Sequence, residues 1–111
     1  MTNTQLLTKF FEAENKRDWA AYEGYLHPQV MWFVHNEDSH LPIAGRQDYM
    51  DYVLTDYNSS PEITFECERM VTTASGNRIF AYLRYSNGSH SVTIFDYEEG
   101  LIKWKHEFIL N

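Results

Sequence analysis

The chain has a single cysteine, Cys67, in 111 residues. That excludes an internal disulfide and a cysteine-built zinc site, and it fits a reducing compartment. Basic residues are also few, nine Lys and Arg against sixteen Asp and Glu for a net charge of −7, and they are scattered. Such a surface repels phosphate backbones and anionic lipid, so neither nucleic acid nor a membrane is an expected partner. No apolar run is long enough to span a bilayer. The opening MTNTQLLTKFFEAENKRDW lacks the basic start and continuous apolar stretch of a signal peptide, and the expected location is cytoplasmic. No Pro/Ser/Gly-rich linker, low-complexity tract or internal repeat divides the sequence, so one domain over residues 1–111 is expected.

What is abundant is aromatic: seven Phe, eight Tyr and three Trp. Rings on this scale suit a strand-rich core or a lined cavity, because each buries much area with few rotatable bonds. Residues 4–16 predict a helix, with Leu6, Leu7, Phe10, Phe11 and Glu14 at helical spacing and Thr4 as its cap. Asp18 caps a second, short helix, WAAYEGYL, which Pro28 stops. VMWFV (Val30 to Val34) predicts a strand buried on both faces. HNEDSHLPIAG predicts a loop, and RQDYMDYVLTDY a third helix ended by NSSP. Four strands follow: ITFECERMVT, RIFAYLRYS, SHSVTIFDY and LIKWKHEFIL. Asn87-Gly88 is a tight-hairpin signal between the second and third of these. Helices first and an antiparallel meander after is an α+β order, with the helices on one side of a curved sheet.

Four phrases in order resemble the SnoaL-like branch of the nuclear transport factor 2-like superfamily. They are NKRDWAAY, LHPQVMW, PIAGRQDYMDYV and YEEGLIKWKHEF, and together they cover nearly the whole chain. The resemblance implies a cone (also called cystatin-like) in which a bent antiparallel sheet wraps three amino-terminal helices and leaves a pocket at its open end. The superfamily includes ketosteroid isomerases, polyketide cyclases, dehydratases, epoxide hydrolases and proteins without chemistry, so the fold does not name the reaction. At the positions where ketosteroid isomerases carry a tyrosine and two aspartates, this chain has Phe10, Val34 and Thr93. None of these can act as the required base or oxyanion donor, and that activity is not expected.

The resemblance also sets a register for the sheet. It implies that Tyr82, Arg84, Thr93 and Glu107 face the pocket. Leu83, Tyr85, Val92, Ile94, Trp104, His106 and Phe108 would then lie on an outer face that pairs two subunits. Burial alone argues the reverse for the last strand, because Trp104 and Phe108 are core-type residues. Trp32 is expected to point inward as a stacking wall or as core filler. Phe10, Tyr22, Val34, Tyr49, Tyr52 and Phe95 complete the expected pocket. An Arg84–Glu107 pair is either a ligand-orienting element or a structural ion pair at the rim.

The polar loop holds His35, Glu37, Asp38 and His40. Its composition suits a divalent cation, but the spacing does not present two ligands in fixed geometry, and no metal or other cofactor is expected. His35, one residue past the expected strand, is the candidate general acid/base, with Glu107 and Asp38 as its carboxylate partners. Three readings follow from the sequence. One is a domain binding a small, partly apolar molecule. Another is a small acid–base enzyme of isomerase, dehydratase or cyclase type, and the third is a structural dimerisation module with a filled cone.

Overall fold

The computed structural model describes residues 1–35 and 40–110, apart from the side chains of residues 40 and 41. Helix α1 (Asn3–Lys16) opens on Thr2, whose hydroxyl accepts from the Gln5 amide while the Gln5 side chain accepts from the Thr2 amide. This reciprocal box satisfies two orphan donors, two residues earlier than a Thr4 cap would. The helix stops at Arg17, which adopts a left-handed conformation at φ 60°. The Arg17 guanidinium donates to the carbonyls of Glu14, Pro61 and Ile63. Asp18 caps α2 (Trp19–Glu23) as the sequence predicts, accepting from the Ala21 amide. Helix α3 spans Arg46–Ser59.

The sheet has six strands: β1 (Leu26–His35), β2 (His40–Ala44), β3 (Phe65–Thr72), β4 (Arg78–Tyr85), β5 (His90–Glu98) and β6 (Leu101–Leu110). Their order is β2-β1-β6-β5-β4-β3. The α+β class and the curved sheet with amino-terminal helices agree with expectation. Two features do not. β2 occupies residues read as loop, a reading that Pro42 encourages; β2 is an edge strand, where a missing amide costs no ladder bond. The sheet is also mixed rather than antiparallel, because β1 pairs with β6 in parallel. VMWFV is fully buried on one face only, its outward residues Met31 and Phe33 keeping partial exposure.

Register decides which side chains meet. Across neighbouring strands Trp32 stands beside Lys105, which stands beside Phe95, which stands beside Ile79. The next inward row runs Val34, Glu107, Thr93, Ala81. The row between them, Phe33, His106, Ile94 and Phe80, faces the other way, since successive side chains alternate across a strand. The core lies between the inward rows and the helices, built on Leu7, Phe10, Tyr22, Leu26, Ile79 and Ile102, all with no exposure. The Asn15 side chain ties α1 to β3, donating to the Phe65 carbonyl at 2.7 Å and accepting from its amide at 3.1 Å.

One irregularity shapes the site. Ile102 opposes Tyr97, but Trp104 opposes Asp96, so Lys103 is an extra residue in β6. A bulge of this kind reverses which side chains face inward beyond it. Ile102 is inward before the bulge, and Lys105 and Glu107 are inward after it. The register implied by the resemblance is therefore the one seen at Trp104, Glu107 and Phe108, and the burial argument for Trp104 and Phe108 fails at both.

Candidate functional site

Between the sheet and the helices lies a cavity of about 220 Å³. α1 contributes Phe11 and Glu14, α2 Tyr22, and α3 Val53, Asp56 and Tyr57. The sheet contributes Trp32, Leu83, Tyr85, Ser91, Thr93, Phe95, Lys105 and Glu107. The α3–β3 connection, held down by Arg17, brings Ser60 and Ile63 to the rim, and the β4–β5 turn brings Asn87 and Ser89.

Lys105 is the centre of the polar cluster, with only 6% of its surface exposed. Its Nζ donates to the Tyr49 hydroxyl at 2.9 Å, and that hydroxyl shares a second hydrogen bond of 2.9 Å with Tyr22. The same Nζ lies 4.1 Å from the Trp32 ring centre and 3.8 Å from Glu107 Oε1. Burial works against this ammonium, but the Tyr49 oxygen, Glu107 and Glu14 outweigh it and hold its pKa above the ordinary lysine value. Burial also pushes the Tyr49 hydroxyl up. At neutral pH Tyr49 therefore acts as an uncharged acceptor, and the two carboxylates carry the charge balance.

Glu14 accepts a short hydrogen bond from the Tyr57 hydroxyl. Glu14 is half-buried and lines the cavity. Burial raises its pKa above the ordinary 4.5; Lys105, Tyr57 and Arg17 oppose the rise, and Glu107 adds to it. Burial raises the Tyr57 and Tyr85 hydroxyls as well, with Glu14 next in effect on Tyr57 and Glu107 on Tyr85. Trp32, 5% exposed, lines the cavity, and its Nε1–H has no partner among the described residues.

Of the residues expected in the pocket, Tyr22, Trp32, Thr93, Phe95 and Glu107 line the cavity. Phe10 does not, because it is one helical turn deeper than Glu14 and stacks on Tyr22 at 4.2 Å in the core. Val34 is buried without reaching the cavity. Tyr49 stands behind Lys105, and Tyr52, on the flank of α3, is 42% exposed over a separate shallow depression beside Ile43.

Tyr82 and Arg84 lie on the outer face. Tyr82 is 44% exposed, and Arg84 pairs with Glu68 instead of Glu107. The turn is the cause. A two-residue turn at Asn87-Gly88 would set Tyr82 opposite Thr93. In the structure the connection is Ser86-Asn87-Gly88, with Tyr85 bonded to Ser89 and Gly88 at φ 91°. Ala81 consequently opposes Thr93, and a one-residue shift turns every side chain of β4 to the other face. Leu83 and Tyr85, expected on the outer face, line the cavity for the same reason.

His35 is a further correction. β1 continues through it, so with Trp32 and Val34 inward His35 points outward. There its Nε2 lies 3.2 Å from His106 Nδ1, and its ring stacks on Phe108 at 4.5 Å. It cannot serve the cavity as acid or base. Asp38 and Glu37 lie outside the described residues. Among the described residues no group of three or more His, Cys, Asp or Glu is arranged to hold a metal.

Sequence reasoning passed over Lys105 and Glu14. Both left a signal: Lys105 shares its strand parity with Glu107, and Glu14 is an acid on an otherwise apolar helical stripe.

A helix-backed curved sheet enclosing one polar-floored cavity defines a class of small cone-shaped domains. The chain belongs to the SnoaL-like domain family, whose model matches residues 7–104. Solved structures agree on the fold. Bal32a from a soil-derived mobile gene cassette is 11% identical, with 98% of this chain and 89% of that one covered at a TM-score of 0.88. A SnoaL-like protein of unknown function from Burkholderia thailandensis is 13% identical, covering 98% and 94%, at 0.85. SalBIII, an epoxide hydrolase/cyclase-like enzyme in pyran ring formation in the polyether salinomycin, is 17% identical, covering 97% and 90%, at 0.77. No curated protein matches the chain significantly.

Proposed function

We propose that this domain binds a small, partly apolar molecule in the cavity between sheet and helices. The observation that carries this reading is Lys105, a buried cation kept on the wall of an open space. Hydrocarbon in its place would pack without the desolvation penalty of a charge. The rings of Trp32, Tyr22, Tyr57 and Tyr85 offer apolar walls. A volume near 220 Å³ suits one ring with a short substituent, below the roughly 300–1,000 Å³ of drug-sized pockets. A thermal-shift screen of single-ring amines, alcohols, ketones and acids tests it, with Thr93→Phe as the filled-cavity control. Melting points that rise with ligand in the parent and not in Thr93→Phe support it. No rise with any compound overturns it.

Glu14 favours a second reading, acid–base chemistry on the bound molecule. Its proton affinity, raised by burial, and its Tyr57 partner are the attributes of a group that can hold and pass on a proton. On this reading Glu14 and Glu107 act, and His35 does not. Turnover of any ligand found by the screen, lost in Glu14→Gln while binding persists, separates an enzyme from a carrier.

We also propose a homodimer through the outer sheet face, formed by Phe33, Ile94, Trp104, His106 and Phe108. Trp104 and Phe108 are 40% and 38% exposed, and an aromatic patch of this kind is costly to leave wet. The acidic balance argues against nucleic-acid partners. No helix among the described residues is long and apolar enough to cross a membrane. Together with the free thiol of Cys67, these features support a cytoplasmic location.

A further inference from the structure

The charges lining the cavity are unequal. Two carboxylates, Glu14 and Glu107, line its interior and a third, the exposed Asp56, its rim, against one ammonium, Lys105. His90 reaches the same rim, but its Nδ1 lies 3.8 Å from Glu68. The cavity is thus net negative even with Glu14 protonated. Lys105 is already occupied, bonded to Tyr49 and set over the Trp32 ring. Glu107 meets Lys105 at 3.8 Å, which is an ion pair without a hydrogen bond, and Glu14 accepts from Tyr57. Both carboxylates keep acceptor lone pairs for a donor brought by a ligand.

The walls act in the same direction. Trp32, Tyr22, Tyr57 and Tyr85 line the cavity, and two of these rings already hold a cation on one face, Lys105 over Trp32 and Arg17 over Tyr57. In a site partly shielded from water, both effects are stronger than at an open surface.

We infer that the cavity selects a small ring-bearing amine, its ammonium set between Glu14 and Glu107 with Asp56 at the rim, and that it rejects carboxylic acids of the same shape. This rests on the small-molecule reading above. Binding has a proton signature. The groups facing Glu14 are Tyr57 from α3, Lys105 and Glu107 from β6, and Arg17 on its own helix. A second cation beside them favours the ionised carboxylate, so amine binding releases a proton from that fraction of Glu14 that holds one.

Titration calorimetry with tyramine, para-hydroxyphenylacetate and tyrosol tests the idea, because the three share a ring and oxygen and differ in charge. Tyramine is expected to bind at least about tenfold more tightly than the acid. Glu107→Gln is expected to remove most of that preference while leaving tyrosol affinity within about twofold, since the isosteric amide keeps the shape and drops the charge. Titrations near pH 5 in buffers of different ionisation enthalpy should show proton release with tyramine that is absent in Glu14→Gln. An acid that binds as tightly as the amine overturns the charge inference and leaves the small-molecule reading standing. Failure of all three to bind overturns this inference, and the small-molecule reading then stands or falls on the broader thermal-shift screen.

Discussion

The Lys105 ammonium rests 4.1 Å above the ring of Trp32, its cross-strand neighbour in the parallel β1–β6 pair. The contact is a consequence of register, because residues directly abreast on adjacent strands share a face. It places a permanent charge on an aromatic wall, and several outcomes depend on it.

Lys105→Met keeps most of the volume and removes the charge. Glu107 loses its ion-pair partner and Glu14 a compensating cation, so the folded state is expected to lose about 3 kcal/mol at neutral pH. The loss should shrink in acid, where the stranded carboxylates take up protons. Urea denaturation at pH 7 and pH 5 measures both values, and an equal loss at the two pH values would contradict the assignment.

Glu14→Gln should act in the opposite sense. Because the folded pKa of Glu14 lies above the ordinary 4.5, the native state binds its proton more tightly than the unfolded chain. Stability from this group is present below that ordinary value and is lost as pH rises through the folded pKa. The glutamine variant cannot lose it. Its melting point is expected to exceed that of the parent at pH 7 and to converge with it at pH 4.

Deletion of Lys103 removes the extra residue of the β6 bulge. Either Lys105 and Glu107 turn to the outer face, or Ile102 leaves the core. Both are incompatible with the parent packing, and ligand-induced thermal shifts are expected to disappear. Alanine at position 103 keeps the bulge and should preserve them.

Asn15→Ala removes both hydrogen bonds that tie α1 to the edge strand β3 and leaves the Phe65 amide and carbonyl to find water. A cost of about 2 kcal/mol is expected. Hydrogen exchange should localise the loosening to β3, with the β5–β6 pairing unaffected.

Trp104→Glu introduces a charge into the proposed subunit contact. Sedimentation velocity is expected to show a dimer in the parent and monomers in the variant. A variant that remains dimeric places the contact elsewhere.

The helices and the meander were legible because their signals are local: helical spacing over 46–57, and an Asp18 cap that accepts as a cap should. β2 was not, since a short edge strand containing proline has the composition of a loop. The site was legible only where strand parity was anchored correctly. Thr93, Phe95 and Glu107 were placed inward, while Tyr82 and Arg84 failed together because one additional turn residue at Ser86 inverts a whole strand. His35 failed through a strand boundary set one residue too early. Lys105 and Glu14 went unread for a different reason, since period and propensity treat a charge on an apolar face as noise.

The seam between β1 and β6 has a kinetic consequence. It joins segments some seventy positions apart in sequence, Trp32 to Lys105, whereas the β4–β5–β6 meander closes through short local turns. Loop-closure entropy makes such distant contacts slow to form. The meander is therefore expected to assemble early as a self-contained unit, with docking of β1 as the step that sets the refolding rate. Substitutions along this seam should slow refolding more than equally destabilising ones in the β4–β5 hairpin.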